Sequence, residues 1–340
     1  MKEPSFEDAF RVLLLQAADE GRGEVLFGES LGRMPQAACP FMVGETFPSV
    51  YLEFPLAGDP FLDVTVLYSK LAPGTRIDHP AAAGTEAMLD WFTGIDGGGL
   101  SMCCGFELDV KESELPAAAV HFQPRAHVEH VRPFCEAVGE PERAELYLDL
   151  ASRMPEGWPL SFFGMFRGRP GSPLRVCGYL DEGEKHACAD SPARLARVFD
   201  EVGFDAYDDA MLKDVSILMA AVPGSVDFQF DVFPDGSLGD TFAIDAQFGI
   251  EQPEAVCANF EDGAAGRAMR FLEQRGAADA RWKLAPAAAF ARAIPVERED
   301  GSHGKFAFTL MPQWAKARWR SGALQPAKLY LLAHAGFIAS

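Results

Sequence analysis

Apolar and polar residues alternate along a series of short stretches, and the stretches come in pairs. Residues 50–56 and 61–68 are rich in β-branched and aromatic side chains and flank the turn Ala57-Gly58-Asp59-Pro60, which reads as an antiparallel hairpin. Residues 100–110 and 118–123 form a second pair. Residues 160–166 and 174–180 form a third, across a Gly- and Pro-rich turn at 168–173. Residues 226–232 alternate strictly, turn at Pro234-Asp235-Gly236 and return through 241–247. The last pair joins an extended run from Lys305, with a continuation toward Arg320, to residues 327–333.

Helical spacing fills the intervals. Phe6, Phe10, Leu13 and Leu14 make one stripe of a helix over 6–20. Helices also fit 81–93, 127–154 with a break near Gly139, 191–202 with Ser191 as N-cap before Pro192, 205–221, and 252–275. Residues 27–48 read as irregular. Each of the first four hairpins is therefore followed by helix. Tight turns force antiparallel pairing, and five hairpins in series can close into a barrel that leaves no exposed edge. The expected fold class is α+β in a single domain over 1–340. A helical and irregular lead-in occupies 1–45. Residues 46–338 make a ten-stranded antiparallel β-barrel of five ββαα units ringed by helices. Ten strands exceed the eight that side chains just fill, so a lumen is expected.

Composition narrows the partners. The 340 residues include 50 acids and 30 bases, a formal charge of −20, with 48% hydrophobic residues. That is a globular composition, and its charge repels phosphate backbones and anionic lipid, so neither nucleic acid nor membrane is expected as a partner. An anionic ligand needs a local cationic site working against the global field. Seven cysteines without a CxxC pair fit reduced thiols. The N-terminus carries acids where a secretory signal needs bases, and no apolar run approaches ~20 residues, so a soluble cytoplasmic protein is expected. His121, His127, His130 and Cys135 lack a zinc-binding pattern, and Asp208, Asp209 and Asp214 lack a DDxxD spacing, so no metal site is expected. Gly97-Gly98-Gly99 is too short for a phosphate loop, and no GxSxG elbow occurs.

Strand geometry then groups the chemistry. Side chains two apart on a strand share a face. Arg175, Cys177 and Tyr179 therefore point one way, as do Lys328 and Tyr330. Leu174, Val176, Leu329 and Leu331 point the other way, toward packing helices. His121 with Gln123, and Asp245 with Gln247, share lumen faces in the second and fourth units. Lys316, Arg318 and Arg320 alternate as the densest cationic stripe, and Arg167 and Arg169 flank the third turn. Cations beside tyrosines inside a barrel can neutralise a leaving diphosphate and shield an allyl cation. The same residues could instead form structural ion pairs and ordinary packing.

Five helix-separated hairpins resemble the ABBA aromatic prenyltransferases over about residues 45–338. Three local matches accompany the architecture. Val50-Tyr51-Leu52-Glu53-Phe54 is similar to the first strand of the fungal indole, or dimethylallyltryptophan, branch, which implies Glu53 as catalytic base. Leu174–Leu180 resembles that branch's cation-x-cation-x-Tyr strand, with Cys177 in the second cation's place. Ala327-Lys328-Leu329-Tyr330-Leu331 resembles its Lys-x-Tyr strand. The resemblance implies Arg175, Lys328, Lys316 and Arg318 as diphosphate ligands, Tyr179 and Tyr330 as cation shields, and His121, Gln123 and Gln247 as further lumen residues. It also implies a prenyl diphosphate donor and an aromatic or peptide acceptor, with no required cofactor or with assistance from Mg2+. The chain departs from the family where His121/Gln123, Asp245/Gln247 and Asp63 stand in place of cations. Similarity to the cyanobactin peptide branch is confined to the barrel. Two other readings stand beside this one: a non-catalytic protein that holds an apolar ligand in a Phe-rich lumen, and an α+β enzyme whose hairpins lie in two separate sheets.

Overall fold

The computed structural model describes residues 2–95, 102–110, 116–124, 127–167, 171, 173–298 and 300–339. Its strands are β1 (Ser49–Pro55), β2 (Asp63–Tyr68), β3 (Cys103–Leu108), β4 (Ala119–Gln123), β5 (Leu160–Met165), β6 (Leu174–Tyr179), β7 (Val226–Val232), β8 (Leu238–Gln247), β9 (Phe290–Glu297), β10 (His303–Arg320), β11 (Ala323–Leu324) and β12 (Lys328–Ala339). The pairing runs β12-β1-β2-β3-β4-β5-β6-β7-β8 and returns through β8–β10 and β10–β12, all antiparallel. Ten strands therefore close into one barrel, and the two-sheet alternative is excluded. The helices ring it on the outside.

Closure follows from the alternation. On every barrel strand one face is aliphatic or aromatic and fully buried: Val50, Leu52 and Phe54 on β1, Val226, Phe228 and Phe230 on β7, Leu329 and Leu331 on β12. These side chains pack outward under the helices, each removing apolar surface worth about 1.5–3 kcal/mol from water. Aromatic contacts knit the layer together, as where Phe122 stacks on Phe134 with ring centroids 4.4 Å apart. The polar alternate positions are left to face the lumen.

The fifth hairpin is the main topological surprise. β10 was expected to supply residues 305–310 to the barrel. Instead its first half pairs with β9 and the far end of β12, forming a three-stranded extension, and only residues 314–320 pair with β8. The ladder shifts between Pro312 and Trp314, where proline cannot donate a backbone hydrogen bond. β9 was not anticipated, because Phe290–Glu297 is mostly solvent-facing and carries no clean alternation.

The helix boundaries were also refined. Phe6–Ala18 is capped by Ser5, whose hydroxyl accepts the Asp8 amide at 3.1 Å. The region expected to be irregular contains helices Arg22–Phe27 and Ser30–Ala38, joined through Gly28 at φ 56°. The long stretch after β4 breaks into Val131–Val138 and Glu142–Arg153 at Gly139, which caps the first helix with φ 86°. The expected helix over 81–93 begins only at Glu86, and that over 205–221 begins at Asp209, where the Asp208 carboxylate accepts the Met211 amide at 2.7 Å. The segment 252–275 splits into Val256–Glu261 and Ala264–Gln274, and Glu182–Asp190 is an additional helix. Ser191 precedes Pro192–Val202 without a side-chain capping bond. Among the described residues, no helix is long and apolar enough to cross a membrane. Leu100, Gly97–Gly99, Arg169 and part of the 168–173 turn lie outside the described residues.

Candidate active site in the barrel lumen

The inward positions enclose a cavity of about 180 Å³ lined from almost every strand. Tyr51 and Glu53 enter from β1, Glu107 from β3, His121 and Gln123 from β4, and Arg175 from β6. Asp227 and Gln229 enter from β7, Asp245 and Gln247 from β8, Trp314 and Lys316 from β10, and Tyr330 from β12. Trp314 and Tyr330 face each other in register and stack, with ring centroids 4.9 Å apart and planes 19° apart, and Tyr51 lies 4.9 Å from Trp314. This is one continuous aromatic wall. A second pocket of about 350 Å³ opens at one end of the barrel, between Arg175, Asp231, Phe233, Asp240, Thr241, Arg318 and Arg320. Arg175 lines both spaces.

The lumen holds more acid than base. Glu53 is 4% exposed and sits against the Lys328 ammonium, which also lies 3.7 Å from Asp63. Burial raises the Glu53 pKa, but the Lys328 charge and hydrogen bond outweigh it, so the carboxyl titrates below its ordinary value. Asp63 goes the other way. Burial dominates over Lys328 and pushes it up to about 7, with its oxygen accepting the Val110 amide at 3.0 Å. Burial likewise disfavours the charge on Lys328, but Glu53 and Asp63 hold its pKa above the usual lysine value. Glu107 and His121 lie 3.1 Å apart. Burial opposes the Glu107 charge, yet the His121 hydrogen bond and the Arg175 charge hold its pKa well below the carboxylate range.

Arg175 is bound to Asp231 at 3.2 Å, and its guanidinium lies 4.4 Å from the Phe166 ring centre. Lys316 donates to Gln229 Oε1 at 3.2 Å, lies 3.7 Å from Asp245 and sits 5.1 Å from the Tyr330 ring centre. Asp227 and Asp245 face each other directly across β7 and β8. Burial, and then the neighbouring carboxylate, push Asp227 up to about 7. Burial, only partly offset by Lys316, pushes Asp245 up to about 6.

The structure thus gathers Glu53, Arg175, Lys316, Tyr330, His121, Gln123 and Gln247 around one hollow. It treats three other candidates differently. Tyr179 ends β6 on the inward face, opposite Asp227, but is 46% exposed at the barrel's mouth rather than part of the cavity lining. Lys328 faces inward but is committed to Glu53 and Asp63 rather than standing free for an anion. The cationic stripe divides by depth: Lys316 is inside, whereas Arg318 and Arg320 line the end pocket. Arg320 reaches Asp240 at 3.9 Å, and Arg318 makes no ion pair or side-chain hydrogen bond among the described residues. Arg167 donates to the Ala83 and Gly84 carbonyls, both at 3.2 Å, as a loop clamp. Asp208 caps a helix and Asp214 pairs with Arg275 at 2.6 Å. No group of three potential metal ligands occurs among the described residues.

Glu107, Asp227, Gln229, Asp231, Tyr51 and Trp314 were missed as candidates. The alternation contained the signal: Tyr51 and Trp314 share a strand face with Glu53 and Lys316, and Asp227, Gln229 and Asp231 are the polar positions of the strictly alternating run 226–232. Attention to cations passed over the acids that neutralise them.

No protein-family model matches the sequence, and no curated protein matches it. Solved structures do. The chain overlays over 97% of its length on 97% of 5-dimethylallyltryptophan synthase from Streptomyces coelicolor, with TM-score 0.52 and 13% identity. It overlays equally far on 96% of PriB in its complex with product diphosphate, with TM-score 0.53 and 13% identity. With the closed ring of ten strands, these likenesses decide the fold. The chain is an ABBA barrel. Helices cover the outside of this barrel, and the titratable groups of the chain converge in its lumen.

Proposed function

We propose that the protein transfers a dimethylallyl-type group from a prenyl diphosphate to an aromatic acceptor. The observation that carries this reading is the set of groups gathered in one lumen: an arginine-lined pocket, an aromatic wall, and beside that wall a buried carboxylate kept ionised by a lysine. The likeness of fold supports it, since the Streptomyces coelicolor synthase was solved with DMASPP and Trp, and PriB with diphosphate.

In this reading the diphosphate occupies the end pocket, held by Arg175, Arg318 and Arg320. Arg318, which has no acid partner among the described residues, is its principal ligand, and the role inferred from sequence for Lys328 passes to it. The allylic C–O bond breaks and its electron pair leaves with the diphosphate, whose charge the arginines neutralise. The allyl cation lies against Trp314, Tyr330 and Tyr51, whose π faces stabilise it and exclude water. A ring carbon of the acceptor supplies the electron pair for the new C–C bond. The ring proton then passes to the Glu53 carboxylate, which Lys328 holds in its basic form. Mg2+ would enter only with the donor, because the arginines already supply positive charge. The lumen cavity is small, about 180 Å³, which favours a five-carbon donor over longer prenyl chains and a small aromatic acceptor or a single peptide side chain over a bulky one. We place the protein in the cytoplasm, where the free thiols stay reduced.

Incubation with labelled dimethylallyl diphosphate and indole acceptors, analysed by mass spectrometry, tests the reading. The expected result is a product heavier by one dimethylallyl unit. A melting temperature raised by neutral apolar ligands but unmoved by dimethylallyl thiolodiphosphate would instead favour a passive binder.

A further inference from the structure

Asp227 and Asp245 present a problem of charge. Residues directly opposite on antiparallel strands bring their Cβ atoms within about 5 Å, and like charges there are destabilising. Here two carboxylates face each other inside a barrel, both line the cavity, and one lysine, Lys316, is left to offset both, 3.7 Å from Asp245. Gln247 donates to Asp227 at 3.3 Å, which adds a hydrogen bond but no charge. The other lumen cations are engaged elsewhere: Arg175 with Asp231, and Lys328 with Glu53 and Asp63.

Unfilled hydrogen-bonding capacity sits at the same place. Gln229 is 3% exposed, its Oε1 accepts from Lys316, and its Nε2 has no partner. Asp245 is 8% exposed, and its Oδ1 is too far from Lys316 for a hydrogen bond and has no other donor. Buried polar atoms are rarely left unpaired, and exceptions point to a missing partner. A group that fills Asp245 Oδ1 must donate a proton, and one that relieves the facing carboxylates must be positive.

We infer that Asp227, Asp245 and Gln229 form a subsite for a protonated amine on the acceptor, so that the protein selects a cationic aromatic amine over neutral or anionic analogues. The inference rests on the transfer reading for the acceptor's aromatic part, but the subsite itself needs no donor. The ammonium donates to both carboxylates as a charge-assisted pair, and Gln229 Nε2 remains to bind an acceptor atom beside it. Asp227 lies about 13 Å along β7 from Asp231, and Asp245 sits opposite Lys316, one inward position from Arg318, so the acceptor cation would lie next to the donor's arginine pocket.

Calorimetry on the full chain tests this with tryptamine, 3-propylindole and indole-3-propionate, which place a cation, a methyl group and a carboxylate at similar reach. Tryptamine is expected to bind at least about tenfold more tightly than 3-propylindole. In an Asp227→Asn, Asp245→Asn double variant the ratio should fall to about one, with 3-propylindole affinity retained. If that variant does not fold, Asp227→Asn alone should still reduce the ratio. Equal affinity of tryptamine and 3-propylindole, tighter binding of indole-3-propionate, or no binding of tryptamine overturns the inference. Dimethylallyl thiolodiphosphate is titrated separately. If it fails to bind while tryptamine discrimination holds, the subsite stands and the transfer reading falls.

Discussion

The lumen carries two regions of opposite chemistry that share strands β7, β8 and β10. In one, β6, β7, β8 and β10 bring Arg175, Arg318 and Arg320 together with Asp231 and Asp240, leaving an excess of positive charge. One inward position along, the same β7, β8 and β10 bring Asp227 and Asp245 together with one lysine, leaving an excess of negative charge. Neither region is predictable from the net charge of −20. What matters is local: a barrel separates charges along its axis because successive inward residues on one strand lie two apart and climb about 6.6 Å each time. An acidic protein can therefore keep one anion-attracting pocket. Glu53 and Lys328 neutralise each other beside the aromatic wall.

The largest effect should come from that pair. Glu53→Gln is expected to lower the transfer rate by about 10²–10⁴-fold with donor binding intact, measured by single-turnover kinetics and calorimetry. The fold should survive, because Asp63 remains beside Lys328. Loss of donor binding together with rate would place Glu53 at the donor and break the proposed arrangement. Next comes the positive region. Arg318→Gln should weaken dimethylallyl thiolodiphosphate binding by about 10–100-fold, the worth of a charged hydrogen bond, without lowering the melting temperature. Arg175→Ala is a poorer probe, because it strands Asp231 as a buried charge at a cost of about 3–5 kcal/mol.

The negative region should reveal itself through pH. Asp227 and Asp245 release protons at about 7 and about 6 in the folded chain, against about 4 when unfolded. The native state therefore binds extra protons across that window. Stability from this pair, which faces Lys316 and Gln247, is greatest at low pH and declines as pH rises from about 4 through 7. Asp227→Asn removes one of the facing charges. It should flatten that decline and add about 1–2 kcal/mol at pH 8, read as a melting temperature a few degrees higher. The smallest effect belongs to Tyr179→Ala. Its exposed ring lies outside the cavity lining, so activity and stability should stay within about 0.5 kcal/mol of wild type. A larger loss of activity would return Tyr179 to the site.

Periodicity determined five hairpins that can close into a barrel and which residues of a strand share a face; the observed ring of pairings excluded the two-sheet alternative. Five paired stretches with two-residue alternation, separated by helices, admit few architectures, and turns such as Pro234-Asp235-Gly236 are local signals. The inward placement of Glu53, Arg175, Lys316 and Tyr330 followed from the same rule. What periodicity could not supply was depth along the barrel or the identity of a neighbour on another strand. Lys328 and Glu53 are 275 residues apart, and Arg175 and Asp231 are 56 apart. Their pairing depends on strand register, which turn lengths and shifts such as that at Pro312 set. For that reason Lys328 reads from the sequence as a diphosphate ligand and in the fold as the ion-pair partner of Glu53. Tyr179 reads as a shield and sits in solvent because its strand ends there. A local pattern specifies which way a side chain points, and only closure of the ring decides what it meets.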